Sequence, residues 1–553
     1  MPARRPQLAE LGLFLLVVAL PLAFTPFSTS PFGDPKLVIL VGGSLALWGS
    51  GLRLDRRIGA LAALWAVFTA LSALTGVEPI RSLAAHTDGE GGGLMLVLSC
   101  AAIVVTAVGV DADLRERTRR WFVIASCIVG ALGLVFRFAP DVLTDTAGLR
   151  TLSFVGATMG NQLFAAALLA AGIAAALVPG KRLRNQLVVV AFLALGAASF
   201  GERSSLLLPA VAVIVTLART RMPWRAAIAL AGTVGVVLLG WQWAQPILPG
   251  RETGAGAALA PLQGEATDVD RAVVWRVTAD SIGEHPLLGW GPGTTQVAYL
   301  TNATPADIAE ATRGWADAHN LFLETTVTSG ILGLIPLVAI FVLLIGRAWR
   351  GGPERAWSLG AAAALGAYAM VEPVNLVLTP LLFLFAAMAA GLRAREPASA
   401  DERSPRGVRL GVGIVLSLSL VVSLTMIAGA TFERWGRAYG EEWAYRAALR
   451  VQPWRLTSTE QLALQLAAEG RAGDQQAGAE AKRIIADGVE RFPWDVNVRV
   501  WAADVDTLLN DPTGAKAWLR QHVERFPADR SVLMGDVPDD GFTLPGEEPV
   551  TGG

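Results

Sequence analysis

The run DAHNLFLETTVTSGILGLIPLVAIFVLLIG occupies residues 317–346. It opens with polar and ionisable residues and ends in a stretch long enough to cross hydrocarbon of about 30 Å. A polar loop of roughly seventy residues gives way here to membrane. His319 stands at that boundary, one of four histidines in 553 residues. An ionisable group so placed can meet a lipid-borne substrate from the membrane and a polar substrate from outside.

The rest of the chain agrees with a membrane setting. It is 53% hydrophobic and 17% charged, with a mean hydropathy of +0.47, a balance that excludes an ordinary soluble domain. Apolar runs recur at 10–26, 36–51, 58–75, 93–110, 121–137, 161–179, 187–200, 204–218, 226–243, 319–345, 357–372, 376–392 and 410–430. The expected fold is all-α, a polytopic bundle of about thirteen transmembrane helices. The first run follows Arg4 and Arg5 without a small-residue cleavage site, and so reads as an anchor.

Orientation comes from the short loops. The net charge of −1 says nothing, because the charges are segregated. Arg53, Arg56 and Arg57 share a side with Arg115, Arg117, Arg119 and Arg120, with Lys181, Arg182 and Arg184, and with Arg219, Arg221 and Arg225. Arg347, Arg350, Arg355, Arg393, Arg395, Arg403, Arg406 and Arg409 complete the set. Every second connection is basic, which places those loops in the cytoplasm. Loops 76–92, 138–160 and 244–318 and everything beyond residue 431 are then extracytoplasmic, in a multi-pass protein of the cytoplasmic membrane. Cys100 and Cys127 fall within apolar runs and imply no disulfide framework.

Three parts follow: a membrane catalytic domain at 1–432, a helical repeat region at 433–530 and an acidic Gly/Pro-rich tail at 531–553, expected to be disordered. VERFP occurs at 489–493 and again at 523–527, 34 residues later, and ALRVQP at 448–453 resembles a degenerate earlier copy. That spacing and the closing proline resemble a tetratricopeptide (TPR) array, a stack of helix pairs with a concave face. An unrelated helical hairpin domain with a chance repeat is the other reading. In the outer loop, 251–266 is Gly/Ala-rich and reads as flexible. TDVDRAVVWRVTADSIGEHP then reads as a helix capped by Thr267 or Asp268 and ended by Pro286. Lying on the membrane surface, it would hold a tryptophan at headgroup depth. The HPLLGWGPGT run after it reads as a tight, hairpin-like turn.

Several side chains could do chemistry. Arg203 stands between two apolar runs, facing either a polar cavity or lipid phosphates. Arg271 and Arg276 lie on the loop helix, as ligands or as solvated charges. His319 could act on protons or merely cap its helix. Arginine suits diphosphate, because its planar fork donates paired hydrogen bonds and stays charged. Histidine suits proton transfer from a hydroxyl. Together they fit glycan transfer from a polyprenyl diphosphate to an acceptor hydroxyl. Glu324 shares a helix face with Asn320; it could tune His319, bind a sugar hydroxyl, or sit protonated between helices. Glu372 is a second carboxylate near a span end. Asp111 and Asp113 form a bare Asp-x-Asp at a cytoplasmic edge and read as a helix-end charge pair.

These segments resemble those of the O-antigen ligase and O-antigen polymerase superfamily, which includes oligosaccharyltransferases acting on protein hydroxyls. GNQLFAAALLA at 160–170 is similar to a Gly-Asn segment opening a helix. GERSSLLL around Arg203 is similar to a Ser-Arg-Gly segment, with Glu202 and Ser204 in place of its serine and glycine. RAVVWRVTADSIGEHPLLGWGPG at 271–293 resembles Arg-x-x-x-Trp followed by Pro-x-x-Gly-x-Gly. AHNLFLETTVTSGILGL at 318–334 resembles His-Asn-x-x-Leu followed by Gly-x-x-Gly. The resemblance covers roughly residues 10–395 and implies a C-type glycosyltransferase-like fold.

It also implies that His319, Arg271 and Arg203 are catalytic. Asn161, Asn320 and Glu324 are read beside them as substrate-binding, and Arg276, which lacks the family position, is held in reserve. The implied reaction is metal-independent, inverting transfer from an undecaprenyl-diphosphate-linked glycan to a glycan, lipid or protein acceptor. It needs no cofactor and no nucleic acid; membrane lipids and a protein on the repeat region are the further expected partners. A transporter or flippase is the main rival, yet transporters gather polar residues near the midplane in repeated halves. A scaffold acting through its repeats is the other.

Overall fold

The computed structural model describes residues 6–52, 54–84, 93–138, 157–178, 182–200, 204–220, 222–244, 267–311, 315–391 and 406–529. Arg203, the Gly/Ala-rich run at 251–266 and the tail at 531–553 lie outside the described residues. All regular structure among the described residues is helical.

Among the described residues five helices are long and apolar enough to cross a membrane: Arg56–Thr75, Ala112–Phe138, Trp224–Trp241, Leu321–Trp349 and Gly407–Tyr439. Shorter apolar helices accompany them, among them Gln162–Ala176 and Leu378–Ala390. Leu378–Ala390 has 13 residues, all buried, and at 1.5 Å per residue covers only about 20 Å. A helix apolar on every side belongs inside a bundle, and Phe383 and Phe385 pack there against Trp65, Phe122, Phe341 and Trp357. The expected spans thus differ in kind: the long helices are partly exposed, while Gln162–Ala176 and Leu378–Ala390 are enclosed.

The helix Leu321–Trp349 is broken at Gly330, where φ is +63° and ψ −174°. An interrupted helix frees backbone groups that need partners inside a membrane protein. The segment 286–291 supplies them. Ile331 N–H donates to the Pro286 carbonyl at 2.9 Å, and Trp290 and Gly291 N–H donate to the Val327 and Thr328 carbonyls at 2.8 and 3.0 Å. Ser72 Oγ also donates to the Thr328 carbonyl, at 2.5 Å. The run expected to be a tight, hairpin-like turn is threaded into the helix break. A Cβ on Gly330 would collide with the Leu287 carbonyl, and one on Gly289 with the backbone of Thr328.

The helix Arg406–Tyr439 continues as one element through the expected boundary at 432/433. Its buried Glu433 pairs with the buried Arg455 and accepts from Thr457 and Ser458, which fastens the C-terminal helices to it. The two VERFP copies close helices Gln475–Arg491 and Pro512–Arg525 alike. In each a buried phenylalanine, Phe492 or Phe526, ends the helix with φ −126°.

Gly330→Ala should lower stability by more than about 2 kcal/mol, through backbone strain plus collision with the inserted segment. Gly232, around which a Cβ would meet nothing within 4 Å, should accept alanine without loss. Thermal unfolding of the purified variants measures both.

Candidate active site

His319 is held in an uncommon conformation. Its φ is +51°, which costs a non-glycine residue on the order of 1 kcal/mol and, at a cleft, points to function. Asp317 maintains it: its Oδ1 accepts the His319 N–H at 2.6 Å, and its Oδ2 accepts from Val374 N–H at 3.2 Å. Nδ1 of His319 lies 3.0 Å from the Asp317 carbonyl. A carbonyl only accepts, so Nδ1 carries the proton and Nε2 is left as the basic nitrogen. Trp315 meets the imidazole edge-to-face, centroids 4.5 Å apart.

Asn320 caps the helix that follows. Its Oδ1 accepts from Phe322 and Leu323 N–H at 3.0 and 3.1 Å, and its Nδ2 donates to the Met370 carbonyl at 2.9 Å. Asn320 is thus a cap and a tether rather than an open ligand. Arg271 reaches the same strap: its Nη2 donates to Glu372 Oε1 at 2.8 Å. Residues 370–374 therefore bind Asn320, Arg271 and Asp317 in turn. The loop helix Thr267–Ile282 is fixed again where Trp275 Nε1 donates to the Ala318 carbonyl at 3.1 Å. This tryptophan anchors the helix to the histidine turn, and the buried Val273, Val274 and Val277 face protein, in place of the expected contact with the membrane surface.

A cavity of about 300 Å³ is lined by Asp317 and Leu321, which flank His319 and Asn320, along with Glu324, Gln296, Arg81 and Asn497; His319 and Arg271 are not among its lining residues. Glu324 accepts from Thr295 Oγ1 at 2.7 Å and from Ala318 N–H at 3.0 Å, so its partners are neutral donors and not the imidazole.

Two candidates are engaged elsewhere. Arg276 is exposed and pairs with Asp307 at 2.5 Å; the bond to Asp307 raises its pKa further. Burial would push the Asp307 carboxyl up, but the Thr304 N–H and Arg276 hold it below its usual range. Asn161 caps the helix Gln162–Ala176, its Oδ1 accepting from Leu163 N–H at 2.8 Å. Asp111 likewise caps, accepting from Leu114 N–H. Sequence reading missed Asp317, although it stands two residues before His319, and also Thr295, Arg81 and Asn497, which nothing local marks.

Residues 187–338 match the family described as O-antigen ligase. The chain is also similar to an O-antigen ligase of Pseudomonas aeruginosa, 27% identical over 263 residues, which is 46% of this chain and 57% of that protein. The chain thus spans little more than half the length of this curated relative. Both findings support the O-antigen ligase family for the membrane part. The matched segment holds His319, Arg271 and the inserted 286–291 segment, but not Glu372, Arg81 or Asn497.

The last two belong to a wall built where the C-terminal helices meet the end of the bundle that carries His319. Arg81 lies 3.3 Å from Glu78 and 3.5 Å from Asp495, while Trp494 packs edge-on against Trp290 and under Arg525. Burial, reinforced by the Asp495 charge and opposed by Arg81, pushes the Glu78 carboxyl up to about 7. A carboxyl raised in this way binds a proton in the folded state that it has lost when unfolded, so its burial is least costly at low pH. Stability should fall as pH rises from about 5 to about 7 and level off above that. The thermal midpoint should be higher at pH 6 than at pH 8, and Glu78→Gln should remove most of that difference.

Proposed function

We propose that this protein transfers a glycan from a polyprenyl-diphosphate donor to an acceptor hydroxyl at the outer face of the cytoplasmic membrane. The observation that carries the reading is the His319 turn: an imidazole with Nδ1 on the Asp317 carbonyl, beside a cavity that Asp317 lines, with Arg271 tethered to the same strap. The matches to O-antigen ligases support the same reaction class.

In this reaction Nε2 of His319 takes the proton of the acceptor hydroxyl as its oxygen attacks the anomeric carbon. The bond from that carbon to the diphosphate oxygen breaks, and the lipid diphosphate leaves with the electron pair. A single displacement inverts the anomeric centre. Asp317 steadies the imidazolium. One N–H of Arg271 is spent on Glu372, and its remaining fork, with Arg203, offsets the charge growing on the diphosphate. Glu324 and Gln296 are suited to sugar hydroxyls. The helices after residue 433 act as a tetratricopeptide-like array that recruits the acceptor or a partner protein, with Asn497 on its cavity side.

Purified protein supplied with an undecaprenyl-diphosphate oligosaccharide and alternative hydroxyl acceptors tests this. His319→Ala should cut product formation by about 10²–10⁴-fold, and Arg271→Ala by about 10²–10³-fold. Arg276→Ala, with its charge spent on Asp307, should stay within about threefold of the parent. Product formed by His319→Ala at the parental rate would overturn the assignment.

A further inference from the structure

A second cavity, of about 180 Å³, adjoins the first through the segment 373–377: Pro373 and Val374 line one, Asn375, Leu376 and Val377 the other. Its distinguishing wall residue is Lys36, which is only 3% exposed. Nζ of Lys36 donates to the Thr158 carbonyl at 2.5 Å and stands 5.4 Å from the centroid of the Phe32 ring. Those neighbours are neutral. Among the described residues no carboxylate lies within ion-pair distance of this ammonium, and the nearby Asp34 accepts from Ser28 Oγ. A buried cation without a counter-charge is costly, and it is tolerated where a ligand supplies the missing charge.

The surrounding backbone has the matching polarity. Three helices begin at this cavity, Asp34–Gly49, Gln162–Ala176 and Leu378–Ala390, and each contributes wall residues from its first turn or the residues just before it. Helix starts carry partial positive charge and unpaired N–H groups. Asn161 and Asn375 accept from N–H groups at the start of two of them; in the third, the Asp34 N–H donates to the Ser30 carbonyl and Pro35 has no N–H to give. Gly160, with φ +78°, lets the chain close against Phe32, where a Cβ would collide. Phe32, Phe164 and Leu376 supply an apolar flank.

We infer that this cavity is an anion site for the phosphate group of a lipid, with Lys36 as its counter-ion. The Lys36 amine receives the phosphate oxygens, and the aromatic flank receives the first carbons of the chain. The lipid is either a polyprenyl diphosphate or a glycerophospholipid. His319 does not line this cavity, so the site's existence does not rest on the catalytic reading.

The test uses the full chain in dodecyl maltoside micelles, which carry no phosphate. Farnesyl diphosphate, phosphatidylglycerol and inorganic diphosphate are titrated separately. At least one lipid probe should bind, and Lys36→Met should weaken that binding tenfold or more while the ligand-free protein keeps its thermal midpoint. Binding of farnesyl diphosphate with competition by inorganic diphosphate assigns the site to a diphosphate lipid; binding of phosphatidylglycerol alone assigns it to a bilayer phospholipid. His319→Ala should bind as the parent does, even where it makes no product. Should Lys36→Met fold poorly, Lys36→Gln replaces it. Unchanged binding of every probe in a folded Lys36 variant, or no binding to the parent, overturns the site and leaves Lys36 a structural hydrogen-bond donor.

Discussion

The break at Gly330, filled by the segment 286–291, is the constraint on which the His319 end of the molecule depends. A helix interrupted inside a membrane protein cannot leave its carbonyls and N–H groups unpaired. Here the partners come from a segment that is itself anchored at both ends. Trp290 is buried, its Nε1 donates to the Ser281 carbonyl at 2.9 Å, and Val77 N–H donates to the Trp290 carbonyl at 3.0 Å. The segment therefore joins the loop helix, the histidine helix and the end of the Arg56–Thr75 helix. Arg271 and His319, 48 positions apart in the chain by their numbering, take a fixed relation because the same knot and the Trp275 bond hold both.

Charge at this end is handled in three ways, and the differences bear on function. Arg276–Asp307 is an ion pair at the surface, and Arg455–Glu433 one in the interior; each is complete and contributes shape. Arg271–Glu372 joins a half-buried guanidinium to a buried carboxylate. Such a pair limits the cost of bringing an arginine beside a membrane, while the fork retains donors for an incoming anion. Lys36 is a buried amine with no described carboxylate within ion-pair distance. The series runs from closed pairs to an amine without a counter-charge, which is the order in which a bound anion would gain from each.

What could be read from the sequence was what short-range pattern encodes. Apolar runs gave helices near the expected places, and the 34-residue spacing located two helix ends that are closed alike by Phe492 and Phe526. The Asn320 cap and the glycines at 289 and 330 were visible as motif letters. Their structural meaning was not, because Gly330 is explained by a carbonyl more than forty positions earlier in the chain, that of Leu287. Arg276 read like Arg271 because spacing on one helix says nothing about which partner waits across the gap. The contact of Arg81 with Asp495, 414 residues apart, has no local signature at all. Arg203 falls outside the described residues, and its place in the site rests on resemblance.

The C-terminal helices are part of the wall as well as an appendage. Val496, Phe526 and Ala528 share a hydrophobic cluster with Val273, Val277 and Tyr299 of the outer loop, and Asn497 reaches the cavity itself. A region that buries its apolar residues against the loop helix cannot move without disturbing the element that carries Arg271. Anything bound on those helices is therefore mechanically connected to the cavity through Trp494, Trp290 and the inserted segment. Under the proposed transfer reaction, an acceptor held on the C-terminal helices would be held against the same wall that positions the His319 turn.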